Sequence, residues 1–122
     1  MSKLSWGAVL VVFTFVAGTA VILAQDPAVV NAKNLNVTLD NPRVRVMEAT
    51  LKPGDKEQMH SHPPYVVYVI EGGKVRNHGA DGTTSESTFT PGQTIYRDPV
   101  THWSENIGTT TIRTLVIELK PQ

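Results

Sequence analysis

The chain contains no cysteine. Disulfides and thiolate ligands are therefore excluded, and with them iron–sulfur clusters and structural zinc sites built on Cys. Any metal has to be held by imidazole, carboxylate, phenol, amide or water. An excess of either charge is also missing, because 11 basic side chains balance 11 acidic ones. No basic patch is dense enough to argue for nucleic acid, and there is no acidic tail. No stretch after residue 30 repeats its apolar residues at helical spacing over three turns. Solenoid-length repeats and low-complexity tracts are absent as well. Neither Ser61 nor Ser104 sits in a Gly-x-Ser-x-Gly turn, so no hydrolase-type nucleophile is visible.

What is present fits one domain with at most an appendage, since the chain has 122 residues, 40% of them hydrophobic. Lys3 is the only charged residue before Asp26, and the run 4–25 is uncharged, with Val9-Leu10-Val11-Val12-Phe13 at its centre. Small residues at Gly18-Thr19-Ala20 and Ala24 offer cleavage positions, so residues 1–24 read as a secretory signal peptide. The rival reading is an uncleaved membrane anchor, because about 20 apolar residues can span a bilayer. A buried helix of the fold is the remaining alternative. The first two readings place the folded part outside the cytoplasm, periplasmic or secreted, with membrane contact only through this segment. Residues 25–40 read as a polar lead-in marked by Asp26-Pro27, Asn31, Asn34 and Asn36, and residues 41–120 as the domain proper.

That domain is predicted to be all-β. Strands are expected over 44–51, 59–62, 65–70, 74–77, 86–90, 94–97, 102–106 and 110–119. Turns are expected at Pro53-Gly54, Glu71-Gly72-Gly73 and Pro91-Gly92, and Gly79-Ala80-Asp81-Gly82 is a hairpin signal. Turn signals every eight to twelve residues fit a sandwich or a small barrel.

The chemistry concentrates in Gly54-Asp55-Lys56-Glu57-Gln58-Met59-His60-Ser61-His62, followed later by His102 and Asn106. Histidines at i and i+2 of an extended segment share a face. A third from a distant strand would close a three-nitrogen site, and His60, His62 and His102 are three of only four histidines in the chain. Neutral imidazole is the commonest metal ligand, and three nitrogens leave coordination positions open for water or substrate. Binding requires deprotonated rings, so affinity is expected to fall below about pH 6.5. The alternative is a cluster of surface histidines beside Pro63-Pro64.

These residues resemble the motifs of the cupin family, small RmlC-like jelly-roll β-barrels. The family's first motif runs Gly, five residues, His, one residue, His, three or four residues, Glu, six residues, Gly. Gly54, His60, His62 and the end Tyr68-Val69-Ile70-Glu71-Gly72 fit it. The second motif begins with Gly and ends in His, three residues, Asn, which Gly92, His102 and Asn106 fit. The resemblance covers residues 42–119. It implies a cupin β-barrel with His60, His62 and His102 as ligands to a divalent transition metal, Fe, Mn, Ni, Cu or Zn. Two departures stand out. Tyr65 or Val66 occupies the place of the motif's Glu, so no fourth carboxylate ligand is implied. In the second motif Asp98-Pro99-Val100 replaces the usual Pro and Gly, and the loop is one residue shorter.

Other residues are candidates for shaping the pocket. Gln58 shares strand parity with His60 and His62 and is placed beside them, orienting water or substrate, while Glu57 is expected to face away. Tyr65 is a phenolate ligand, a hydrogen-bond donor or a packed aromatic. Trp103 reads as core or interface rather than a stacking platform. Arg45 and Arg97 either hold a carboxylate bidentately or lie on a solvated strand face. Asn106 is expected to satisfy the turn Asn106-Ile107-Gly108, and His78 to be a solvated histidine without a partner. The functional expectation is an exported, metal-dependent enzyme of small-molecule chemistry, dioxygenase-like or isomerase-like. The alternatives are a small-ligand or metal-binding module without turnover and a structural domain with a vestigial site. A homodimer is expected by analogy, with the stretch 35–50 adding to a partner's sheet.

Overall fold

The computed structural model describes residues 11–12 and 25–122. The segment 1–24, expected to be a signal peptide or anchor helix, lies outside the described residues apart from Val11 and Val12. Among the described residues no helix is long and apolar enough to cross a membrane.

Nine strands follow one helical turn, α1 (Pro27–Val30). They are β1 (Leu35–Asp40), β2 (Val44–Leu51), β3 (His60–His62), β4 (Tyr65–Glu71) and β5 (Gly73–Gly79). Then come β6 (Thr84–Phe89), β7 (Thr94–Arg97), β8 (Val100–Asn106) and β9 (Ile112–Leu119). They form a five-stranded sheet in the order β1-β2-β9-β4-β7 and a four-stranded sheet in the order β3-β8-β5-β6. All described pairings are antiparallel, with the crossovers of a jelly roll.

Alternation of side chains along the strands builds the interior. On β9, Ile112, Thr114, Val116 and Glu118 are buried while the residues between them are more exposed. Leu35, Met47, Tyr65, Val67 and Val116 pack as one apolar cluster. Leu51, Val75 and Ile112 form a second, with Phe89 against it. The two motif glycines shape the turns that lead into and out of the barrel wall. Gly54 and Gly92 each have φ +84°, and each follows a proline in a four-residue turn closed by Asp55 N–H to Lys52 O (2.9 Å) or Gln93 N–H to Thr90 O (3.0 Å). A Pro-Gly pair with positive φ at the third residue is the type II turn, which a residue with a side chain adopts poorly. Asn106 fills the structural role expected of it. It is buried, its Nδ2 donates to Leu51 O and Thr110 O, and its Oδ1 accepts from Gly108 N–H.

The stretch 25–40 is more than a lead-in. Residues 35–40 are a full strand paired with β2. Asp26 caps α1 by accepting from Ala28 N–H (2.9 Å) and binds Arg45 at 2.8 Å. Leu35 is part of the core. The many asparagines that made this stretch read as polar are used internally, and Asn31 and Asn34 are both buried.

Candidate metal centre

The register of two strands assembles the histidines. In the β3–β8 pair, His60 lies directly opposite His102, and His62 lies opposite Val100. Opposed residues of an antiparallel pair share a face, and the i+2 neighbour shares it too. The three rings therefore converge, with centroids 4.7 Å apart for His60–His62, 4.8 Å for His60–His102 and 5.4 Å for His62–His102. One potential ligand atom from each lies within 4.8 Å of the others.

The remaining ring nitrogens are tied back. His60 Nδ1 lies 2.7 Å from Gln58 O. A carbonyl only accepts, so this nitrogen carries the proton and Nε2 is left free. Gln58 is itself clamped by Asn31, whose Oδ1 accepts from Gln58 N–H at 2.6 Å and whose Nδ2 donates to Gln58 O at 3.2 Å. His62 Nδ1 donates to Glu118 Oε2 at 2.7 Å. Glu118 is only 3% exposed, and its other oxygen accepts from Arg45 Nε and Nη2 at 2.8 and 2.6 Å. Burial alone would raise the Glu118 carboxyl, but the bonds from His62 and Arg45 together outweigh it and hold the pKa below the usual range. The donor set fits a divalent transition metal: three imidazoles, two of them presenting an unprotonated Nε2 and held by outer partners of the kind that fix metal-bound histidines.

Burial keeps His60 and His102 neutral. It lowers His60 to about 4 and His102 to about 3, the latter assisted by the neighbouring histidines and Arg97. Both folded values lie below the unfolded value of 6.5, so a falling pH protonates the unfolded chain first. The stability these two rings contribute is complete above pH 6.5 and is lost as the pH falls through about 4 and 3. Glu57 has the opposite sign. Burial pushes it up to about 7, so its contribution is present below its unfolded value and is lost as the pH rises through 7. For metal uptake the expected outcome departs from free imidazole. Protons compete poorly at two of the three ligands, so the loss of zinc affinity from pH 7 to pH 5 should be smaller by roughly 10²–10³-fold than three ordinary histidines would give. Competition titrations at the two pH values check this, and a loss as large as three free imidazoles impose would contradict it.

Tyr65 is 4% exposed and stacks on His62 at 4.4 Å and 29°. Burial pushes its phenol up to about 12, so it is a neutral donor and not a phenolate. Glu57, expected to face away, instead lines the cavity with the triad, whereas Gln58 is exposed and offers only its backbone. Strand parity does not reach Gln58 because residues 57–59 are not strand. Lys56 makes a lone bridge to Glu105, and Glu57 N–H donates to Ser104 O, which turns the Glu57 side chain inward. There Glu57 Oε1 accepts from Ser104 N–H at 3.1 Å. Arg45 holds Glu118 and Asp26, and Arg97 reaches the cavity wall. His78 is not free of partners. It stacks on Trp103 at 3.7 Å and 2°, and its Nε2 lies 2.9 Å from Glu105 Oε1, away from the triad. Sequence reasoning missed Glu118, Asn31 and Glu57. The first acts from the opposite sheet and the second from outside the motif, and no spacing rule points to them.

The triad opens on a chamber of about 80 Å³, partly open to solvent, whose wall is mostly apolar, with Leu51, Val67, Phe89, Ile112 and Val116 among its residues. No protein-family profile matches the chain, and no curated protein is found as a relative. Solved structures do match. A cupin domain from Bordetella pertussis is 30% identical, covers 71% of this chain and 92% of its own, and superposes with a TM-score of 0.66. An RmlC-like cupin with a double-stranded β-helix fold from Methanocaldococcus jannaschii is 15% identical over 70% of this chain and 78% of its own, with a TM-score of 0.59. An uncharacterised double-stranded β-helix protein from Klebsiella pneumoniae is 19% identical over 70% and 74%, with a TM-score of 0.56. The last two establish likeness of fold.

Proposed function

The chain belongs to the cupin family, and from that premise we propose that it is an exported metal-dependent enzyme acting on a small molecule at His60, His62 and His102. The observation that carries this reading is the triad itself, three converging imidazoles with two Nδ1 atoms fixed by Gln58 O and Glu118, facing a mostly apolar chamber. A divalent Fe, Mn, Ni, Cu or Zn ion bound there supplies Lewis acidity and, for Fe or Cu, oxygen-dependent redox chemistry, which suits dioxygenase-like or isomerase-like reactions. Tyr65, neutral and beside His62, donates a hydrogen bond to a substrate oxygen. Glu57, the one carboxyl lining the chamber among the described residues, holds or moves a proton near neutral pH. The apolar wall excludes water and strengthens both interactions.

Turnover assays on protein loaded with each ion in turn, following oxygen uptake or isomerisation of small enolic and phenolic compounds, test this reading. Tyr65→Phe should keep metal affinity within a few-fold and lower kcat by about 10–100-fold, the loss of one hydrogen bond to developing charge. A protein that holds one metal per chain yet turns nothing over supports the second reading, a non-catalytic module for a small ligand or metal. The observation favouring that alternative is that the chain places Tyr65, not a carboxylate, where the family motif has its Glu.

Export rests on the sequence of residues 1–24, and cell fractionation with N-terminal sequencing checks it. Assembly as a homodimer is supported by β1, an edge strand with exposed Val37 and Leu39. Sedimentation as a monomer at micromolar concentration would remove that part of the proposal.

A further inference from the structure

A second cavity of about 360 Å³ adjoins the metal chamber, walled by Thr83, Ser85, Asp98 and Pro99 among others. The two cavities share Tyr65, Asn77, Arg97 and His102. Their sizes divide the labour. About 80 Å³ admits a few waters or the tip of a substrate. The outer volume of about 360 Å³ falls in the range of small-ligand pockets.

The shared wall is rich in donors. Asn77 Oδ1 accepts from Ser104 Oγ at 2.8 Å, which leaves its amide NH₂ for the cavity. Tyr65 brings a protonated phenol with no hydrogen-bond partner among the described residues. Arg97 is the cation. Arg45, Arg76 and Arg113 are each neutralised by carboxylates. Arg97 has no ion pair among the described residues, and it is the one arginine that lines both cavities. Its position is set by register, since it pairs with Tyr65 across β4 and β7 and so lies on the cavity side of an edge strand, exposed at the cavity mouth. Its charge is close enough to act on both Tyr65 and His102.

We propose that Arg97 recognises a small substrate carrying a single carboxylate, bound in the outer cavity with its reactive end at the shared wall beside His102. A guanidinium fork matches a carboxylate bidentately, and an unpaired cation beside an apolar chamber is satisfied by an anion that arrives with an organic body. The valence follows from the surroundings. Among the described residues Arg97 is the only Lys or Arg side chain on either cavity wall, and Asp98 lines the outer one, so a phosphate dianion is disfavoured. The proposal rests on the three-histidine reading only for where the reactive end lies, because the anion contact itself needs no metal.

The test is a heteronuclear NMR titration of the full chain, metal-free and zinc-loaded, with benzoate, its neutral isostere benzamide, and inorganic phosphate. Benzoate should perturb residues around Arg97, Tyr65 and His102 and bind at least about tenfold more tightly than benzamide. Arg97→Gln should weaken benzoate at least about tenfold and leave benzamide unchanged, Arg97→Lys should fall between, and the same change at Arg43, exposed and on neither cavity wall, should match the parent. Equal binding of benzoate and benzamide, phosphate binding as tight as benzoate, or full benzoate affinity in Arg97→Gln would each overturn the proposal. Benzoate binding without zinc uptake would sustain the anion site and count against the metal reading alone.

Discussion

Glu118→Ala is expected to lower folding stability by about 3–5 kcal/mol, the cost of removing one partner from a buried ion pair. Glu118 sits on the last strand, almost fully buried, and satisfies both Arg45 and His62. Its loss leaves Arg45, whose side chain is only 16% exposed, with Asp26 as its remaining partner, and takes the acceptor from an imidazole N–H whose ring is 5% exposed. Glu118→Gln keeps the volume and one acceptor, so about 1–3 kcal/mol is expected instead. The same substitutions free the His62 ring to rotate or change tautomer, and zinc affinity should fall by about 10–100-fold. Urea unfolding of the metal-free proteins, with unchanged m-values, reads the first effect, and a zinc competition titration reads the second. A Glu118→Ala protein within about 1 kcal/mol of the parent and equal to it in zinc affinity would show that the pair is incidental to both fold and site.

His102→Ala is expected to abolish stoichiometric metal binding while leaving the barrel folded. His102 makes no side-chain hydrogen bond among the described residues and is held neutral by burial, so little is left unsatisfied when it goes. Its loss takes one of three ligands from the site, and the fall in affinity should exceed the about 10–100-fold typical of outer-shell changes. His78→Ala is the matched control. That ring lies against Trp103 and Glu105 on the other side of the sheet, so metal binding should be unaffected. Metal content and a thermal melt on each variant decide the matter. Retention of one ion per chain by His102→Ala would remove this histidine from the site.

The strands were legible because their signals are local. Val44–Leu51 and Thr94–Arg97 fall where alternation and the flanking prolines and glycines place them. The turns around Gly54 and Gly92 were readable for the same reason, since Pro followed by Gly fixes the backbone without help from the rest of the chain. The histidine cluster was legible through period-two spacing and two motif fragments in the right order. What stayed hidden depends on contacts between distant segments. Glu118 is 56 residues from His62, and it meets the ring only because β9 of the five-stranded sheet packs against β3 of the four-stranded one. Asn31 looked like part of a polar lead-in and acts instead as the clamp on Gln58. Glu57 and Gln58 exchanged roles because strand parity was extended one segment too far, across residues that make an isolated bridge and then irregular backbone rather than a ladder. His78 looked solvated beside its hairpin, yet antiparallel register sets it opposite Trp103.

The central claim is that three neutral histidines of a cupin barrel hold one divalent transition metal. Elemental analysis tests it most directly, on residues 25–122 purified without chelator or affinity histidines, beside the His62→Ala variant. The account predicts about one Fe, Mn, Ni, Cu or Zn per chain in the parent and none in the variant. A parent that carries no metal and takes none up on titration, or a variant that retains it, would contradict the claim.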